Sequence, residues 1–180
     1  MRKPVGIKAA EKMASEPIKK GSKVLDIWRS RFARLAAVSR SIVIVDRFAA
    51  EMVIDRGDRY SGLRKFLVEL DRCARGCVVS IFSAIKNHAM DDIRAAVHDV
   101  EGNLARRGVR EVNLHLIDNY HFGKIAHDRY VRFDRAVCEV GIGVDIFSGQ
   151  KLQGTTTFSL KAASQAHRKI ESDLRQATVV

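Results

Sequence analysis

Ser41-Ile42-Val43-Ile44-Val45-Asp46 reads as a short strand, with a continuous β-branched apolar run at its centre, Ile42 to Val45. A run that never alternates with polar residues belongs to a strand buried on both faces, as inside an α/β sheet. Working outward, Leu63, Phe66, Leu67, Leu70 and Cys73 recur at helical steps, which predicts a helix over 61–74 closed by Gly76. Cys77 to Phe82 reads as the next buried strand. A strand, a helix of more than ten residues and a second strand make a βαβ unit, and therefore a parallel pair.

Regular patterns extend in both directions. Val24, Ile27, Trp28, Phe32, Leu35 and Val38 predict an amphipathic helix over 24–38, with Ser22 as its N-cap and Trp28 in the core. Met90, Ile93, Val97, Val100 and Leu104 predict a helix over 89–106, terminated at Gly108. Residues 55–60 read as a polar turn. Val109 to Ile117 alternates as a strand, and 118–124 reads as a polar loop. Two strand-like runs follow, Ile125 to Phe133 and Ala136 to Gly141, joined by a turn at Asp134-Arg135. A glycine-punctuated loop leads to a strand at Thr155 to Leu160 and a final helix over 161–175. The close spacing of the later strands implies antiparallel pairing, so the expected fold is α/β, a mixed sheet flanked by helices.

Composition bounds the function. Of 180 residues, 46% are hydrophobic and 29% charged, the balance of a folded globular chain. The net charge of +11 favours an acidic partner: nucleic acid, an anionic membrane surface or a phosphorylated ligand. Residues 1–23 carry seven basic residues against two acidic ones and both prolines. They read as a basic, flexible arm able to tether phosphates, with a stretch at 7–14 able to become helical on binding, ahead of a domain over 24–180. No apolar run reaches the roughly 18–20 residues of a membrane span, and the N-terminus lacks the apolar stretch of a secretory signal. Cys73, Cys77 and Cys138 read as buried thiols of a cytoplasmic protein, without zinc-site spacing. No phosphate-binding glycine loop, His-Glu-x-x-His helix or acidic cluster is present, so no metal or cofactor is expected.

The chemistry concentrates at His127-Asp128-Arg129-Tyr130-Val131-Arg132-Phe133-Asp134, a spacing of His-x-Arg-x(4)-Asp. On a strand, His127 and Arg129 would project from one face. A histidine can attack phosphorus, and a guanidinium can clamp two phosphate oxygens. Asp134, at the following turn, could orient a group in the pocket. His121 lies in the loop just before the motif and could reach a ligand. His88, His98 and His167 are expected on solvated helix faces, and His115 against a pocket or a helix.

This motif resembles that of the phospholipase D superfamily, His-x-Lys-x(4)-Asp followed seven residues later by a glycine turn, here Gly141. His127-Asp128-Arg129 together with Gly141-Ile142-Gly143-Val144-Asp145-Ile146-Phe147 is more similar still to one branch, the C-terminal phospholipase-D-like domain of MIT-domain proteins. Ile42 to Phe48 is similar to that branch's first strand, and the resemblance spans roughly residues 24–160. It implies a phospholipase-D-like mixed sheet in which His127, Arg129 and Asp134 take the catalytic positions. Gly141, Gly143 and Asp145 then form the structural turn. Active members bring two such motifs together, so a single motif implies a homodimer. Arg129 stands for the lysine, and Ile142 and Val144 stand for the serine and asparagine that would orient histidine and phosphate.

Two functions from different classes are implied. The first is a homodimeric binding module for anionic membrane lipid or another phosphodiester such as nucleic acid, cytoplasmic and peripheral at a membrane. Arg129, Arg132, Lys124, Arg47 and the basic arm would hold the phosphates, aided by His121. The second is a metal-independent phosphodiesterase, a nuclease or phospholipase, with His127 as nucleophile. The departures at Arg129, Ile142 and Val144 favour binding.

Overall fold

The computed structural model describes residues 15–57 and 61–179. Its centre is a six-stranded mixed sheet. Strands β1 (Ser41–Val45), β2 (Cys77–Ile85) and β3 (Val109–Asp118) are parallel. Strands β4 (Tyr130–Phe133), β5 (Ala136–Val140) and β6 (Phe158–Ala162) form an antiparallel meander on the other side of β1. The order across the sheet is β3-β2-β1-β4-β5-β6. The expected mixed α/β architecture is therefore present, with β1 at the junction of the parallel and antiparallel halves.

Because strand side chains alternate, β1 divides its apolar residues between two cores. Ile42 and Ile44 join one cluster, and Val43 and Val45 the other. The first cluster lies under helix α1, built of Val24–Ile27, a π-helical turn Trp28–Phe32 and Ala33–Val38. Also above it are α2 (Glu51–Asp55), α3 (Gly62–Cys73) and α4 (Met90–Gly102). An aromatic nucleus of Trp28, Phe32, Phe66, Phe133, Phe147 and Phe158, with ring centroids 5.1–6.3 Å apart, fills it. The second cluster is covered by α5 (Asn119–Ile125) and α6 (Gln165–Gln176).

Several elements differ from the sequence-based expectation for identifiable reasons. Residues 119–125 form a helix, because Asp118 caps it, its carboxylate accepting from Tyr120 N (3.0 Å) and His121 N (3.2 Å). Strand β4 is four residues long, not nine. Its last pairing partner on β1 is Val45, opposite Tyr130, so 125–129 have no neighbour to pair with there. Helix α4 ends at Gly102, where the Asn103 side chain donates to Asp99 O (2.8 Å). Gly108 instead permits a close approach of backbones, since a Cβ there would sit 2.6 Å from Ala74 O and 2.7 Å from Asp71 O. The N-cap of α1 is Lys23, and the Ser22 hydroxyl donates instead to Lys19 O (2.7 Å). His167 is buried, bonded to Ser164 in a capping box and edge-on to Tyr130. Cys77 and Cys138 are buried and Cys73 is half-buried.

The end of the basic arm lies against the domain: Ile18 is buried and exchanges backbone hydrogen bonds with Thr156 (2.9 Å each). The helical stretch expected at 7–14 and residues 58–60 of the polar turn lie outside the described residues.

Candidate phosphate site

The carboxyl ends of β1, β2 and β3, the start of β4 and the turn after β5 open onto one edge of the sheet. Ligands of open α/β sheets gather at this kind of edge, where the strand order reverses. Here the reversal falls between β1 and β4.

The edge is organised by Asp46, the residue after β1. It is buried, and its Oδ1 accepts from Phe48 N (3.1 Å) while Oδ2 accepts from Val144 N (2.9 Å). Gly143 has φ +62°, and a Cβ there would lie 1.8 Å from Asp46 Oδ2, so glycine is required twice over. The 3-10 turn Gly143–Phe147 is thereby clamped to the end of β1. On its other side, a Cβ at Gly62, the first residue of α3, would lie 2.1 Å from Val144 O. Val144 is core, and it is the backbone N–H at that position that is used. Burial pushes the Asp46 carboxyl above its usual range, against the pull of the two backbone N–H groups and of Arg129.

Arg129 Nε lies 3.9 Å from Asp46 Oδ1, a loose ion pair, and its guanidinium sits 5.0 Å from the centre of the Phe48 ring. Two more cations approach that ring: Lys86 Nζ at 5.8 Å and Arg47 Cζ at 5.9 Å. Three positive charges thus surround one half-buried aromatic ring. Arg47 is held there by Asn119, donating from Nε to its Oδ1 (2.7 Å) and from Nη2 to its O (3.0 Å). A cavity of about 130 Å³ lies between Arg47, Phe48, Phe122, His127 and Arg129. His127 is exposed at its wall and forms no hydrogen bond or ion pair among the described residues.

The sequence motif is divided by the structure. His127 and Arg129 stand in the loop before β4, at the cavity. Arg132 and Asp134 belong to the other end of the strand, and neither lines the cavity. Arg132 forms a two-pronged ion pair with Glu171 of α6, Nε to Oε1 and Nη2 to Oε2, both 2.7 Å, with both side chains largely buried. Asp134 has φ +48° in the tight turn between β4 and β5. Its carboxylate accepts from Arg40 N and from Ser41 N (2.9 Å), fixing the entrance to β1.

The remaining expected residues are dispersed around the edge. Lys124 lies over the Tyr120 ring (4.1 Å), and His121 pairs with Asp118 (3.1 Å), both on α5. Asp145 binds Arg56 (2.8 Å) and accepts from the Ser148 hydroxyl, so it fastens the 3-10 turn. Gly141 N donates to Thr157 O (3.2 Å), joining β5 to the segment before β6. Asp46, Phe48, Lys86 and Asn119 were not singled out as site residues from the sequence. The available signal was the abrupt Asp46-Arg47-Phe48 after a wholly apolar strand.

No family model matches this chain, and no curated protein matches it. Among solved structures it is similar to that of TrmBL2, described as an archaeal chromatin protein with a novel mode of DNA binding. The likeness has a TM-score of 0.41 and 11% identity, and covers 97% of this chain and 62% of that one. This chain thus spans less than two thirds of that protein, and a likeness so distant carries no argument about function.

Proposed function

We propose that the edge between β1 and β4 is the phosphate-binding site of a phospholipase-D-like module that holds a phosphodiester, an anionic phospholipid headgroup, without cutting it. One observation carries this reading: Arg47, Lys86 and Arg129 converge on Phe48 beside His127, which has no partner among the described residues. Like charges so gathered repel one another, and an anion among them offsets that repulsion. The two guanidinium groups supply forked donors suited to phosphate oxygens. Further basic residues would add about 1 kcal/mol each at an anionic surface, in a salt-sensitive way. No helix among the described residues is long and apolar enough to cross a membrane, so attachment would be peripheral.

Hydrolysis asks for more than this edge supplies. Attack by His127 on phosphorus needs a second acid to protonate the departing oxygen, and Asp134 is committed to the entrance of β1. In the competing reading, a metal-independent phosphodiesterase, that acid would be His127 of the partner subunit in a homodimer. Incubation with labelled phospholipid vesicles, DNA and RNA in EDTA separates the two. Under the binding reading, vesicle retention weakens with salt, is lost in Arg129→Ala, and is accompanied by no turnover. Turnover that disappears in His127→Ala would replace binding by catalysis, and retention on nucleic acid alone would replace the lipid.

A further inference from the structure

A larger concavity lies elsewhere, between the start of α1 and α3, with a volume of about 740 Å³. That is the size of a small-molecule site. It shares no lining residue with the His127 cavity, so a ligand there is independent of the phosphate reading. Trp28, Val68 and Phe147 give it an apolar floor, and half-exposed Leu25 adds an apolar wall. Its rim is basic, with six lysines and arginines against Asp26 and Glu69. Glu69 is already paired with Arg72 (2.6 Å).

Lys23 and Lys151 set the polarity of this groove. They face each other across an antiparallel bridge, held by Val24 N to Gln150 O (3.0 Å) and Leu152 N to Ser22 O (2.9 Å). Directly opposed residues project to the same side, and like charges so placed are destabilising. Both side chains are exposed, and neither ammonium group has an ion pair or hydrogen bond among the described residues. On the opposite wall, Lys65 Nζ donates to Gly149 O (2.6 Å) and fixes the loop that carries Lys151. An anion between Lys23 and Lys151 would relieve their repulsion, and an apolar chain attached to it would cover the floor.

We propose that this groove binds a long-chain fatty acid, its carboxylate between Lys23 and Lys151 and its acyl chain over Trp28, Val68 and Phe147. Trp28 is the only tryptophan in the chain, so its emission reports directly on the floor. Titration of the 180-residue chain with oleate below its micelle-forming concentration should give a saturable change in Trp28 emission, with one oleate per chain by equilibrium dialysis. Lys23→Gln combined with Lys151→Gln should weaken binding at least tenfold, and Leu25→Asp several-fold. Both variants alter exposed positions, and circular dichroism should show an unchanged fold. Oleyl alcohol, which lacks the charge, should bind at least tenfold more weakly than oleate. Absence of saturable binding would overturn the proposal. So would equal affinity for the alcohol, or unchanged oleate affinity in the folded double variant.

Discussion

The two ends of β4 carry similar side chains and treat them in opposite ways. At the far end, Arg132 and Asp134 have strong partners within the protein, Glu171 for one and the backbone of Arg40 and Ser41 for the other. At the near end, His127 has none among the described residues, and Arg47, Lys86 and Arg129 crowd one aromatic ring with a distant Asp46 to oppose them. Polar groups that the protein satisfies hold the fold together. Groups that it gathers and leaves unmatched are where a ligand can contribute.

The sharpest way to break this contrast is at the far end. Arg132→Ala leaves Glu171 largely buried without its partner, and should cost about 3 kcal/mol of stability in urea denaturation. Phosphate affinity of the remaining folded protein should not change. Gly143→Ala tests the join between the two roles. It forces a Cβ onto Asp46 at a positive φ, and should cost about 2 kcal/mol while displacing Arg129 and weakening phosphate binding. At the near end the order reverses. Arg129→Ala should lose about tenfold in phosphate affinity, while thermal denaturation detects less than about 1 kcal/mol, because its ion pair is loose and partly exposed. His127→Ala should move stability by no more than about 0.5 kcal/mol, with a smaller loss of affinity.

A pH series sharpens the comparison further, because Asp46 and Asp71 titrate in opposite senses. Burial raises the Asp46 carboxyl above its ordinary 3.8, so the folded protein takes up that proton before the unfolded chain does. Its contribution to stability is full below 3.8 and is lost as pH rises through its folded value. At Asp71 burial also pushes upward, but hydrogen bonds from backbone N–H groups, those of Val109 and Gly108 foremost, outweigh it and lower the carboxyl. Its contribution is present above 3.8 and is lost as pH falls through its folded value. Stability measured against pH should therefore lose its acid-favouring component in Asp46→Asn, and part of its acid sensitivity in Asp71→Asn.

Much of the architecture was legible because its signals are local. The apolar run at 41–45, the helical spacing of Leu63 to Cys73 and the run from Cys77 each encode burial directly, and together they specify the parallel pair. The position of His127 was not, because strand length is a property of pairs. Tyr130 begins β4 only because Val45 ends β1, and nothing within residues 125–133 records that. Helix α5 was hidden for a related reason: Gly123 and few apolar residues give it weak periodicity, and the Asp118 cap supplies what the spacing lacks. Cys73, too, is less buried than its neighbours' pattern implied. Arg129 was recognisable as a candidate from its place in the motif beside His127, and Arg47 as a basic residue directly after the first strand. That Lys86 joins them, and that Arg132 does not, depends on how β2 and α6 pack against β1 and β4.

The central claim is that the near end of β4 takes a phosphate and the far end does not. Backbone amide chemical shifts of the ¹⁵N-labelled protein, followed during titration with dimethyl phosphate at low salt, test it most directly. Saturable shifts are expected at Arg47, Phe48, Lys86 and residues 127–129, with a midpoint about tenfold higher in Arg129→Ala, and with Arg132 and Asp134 unmoved. Shifts centred on Arg132 and Asp134, or none at the near end, would contradict it.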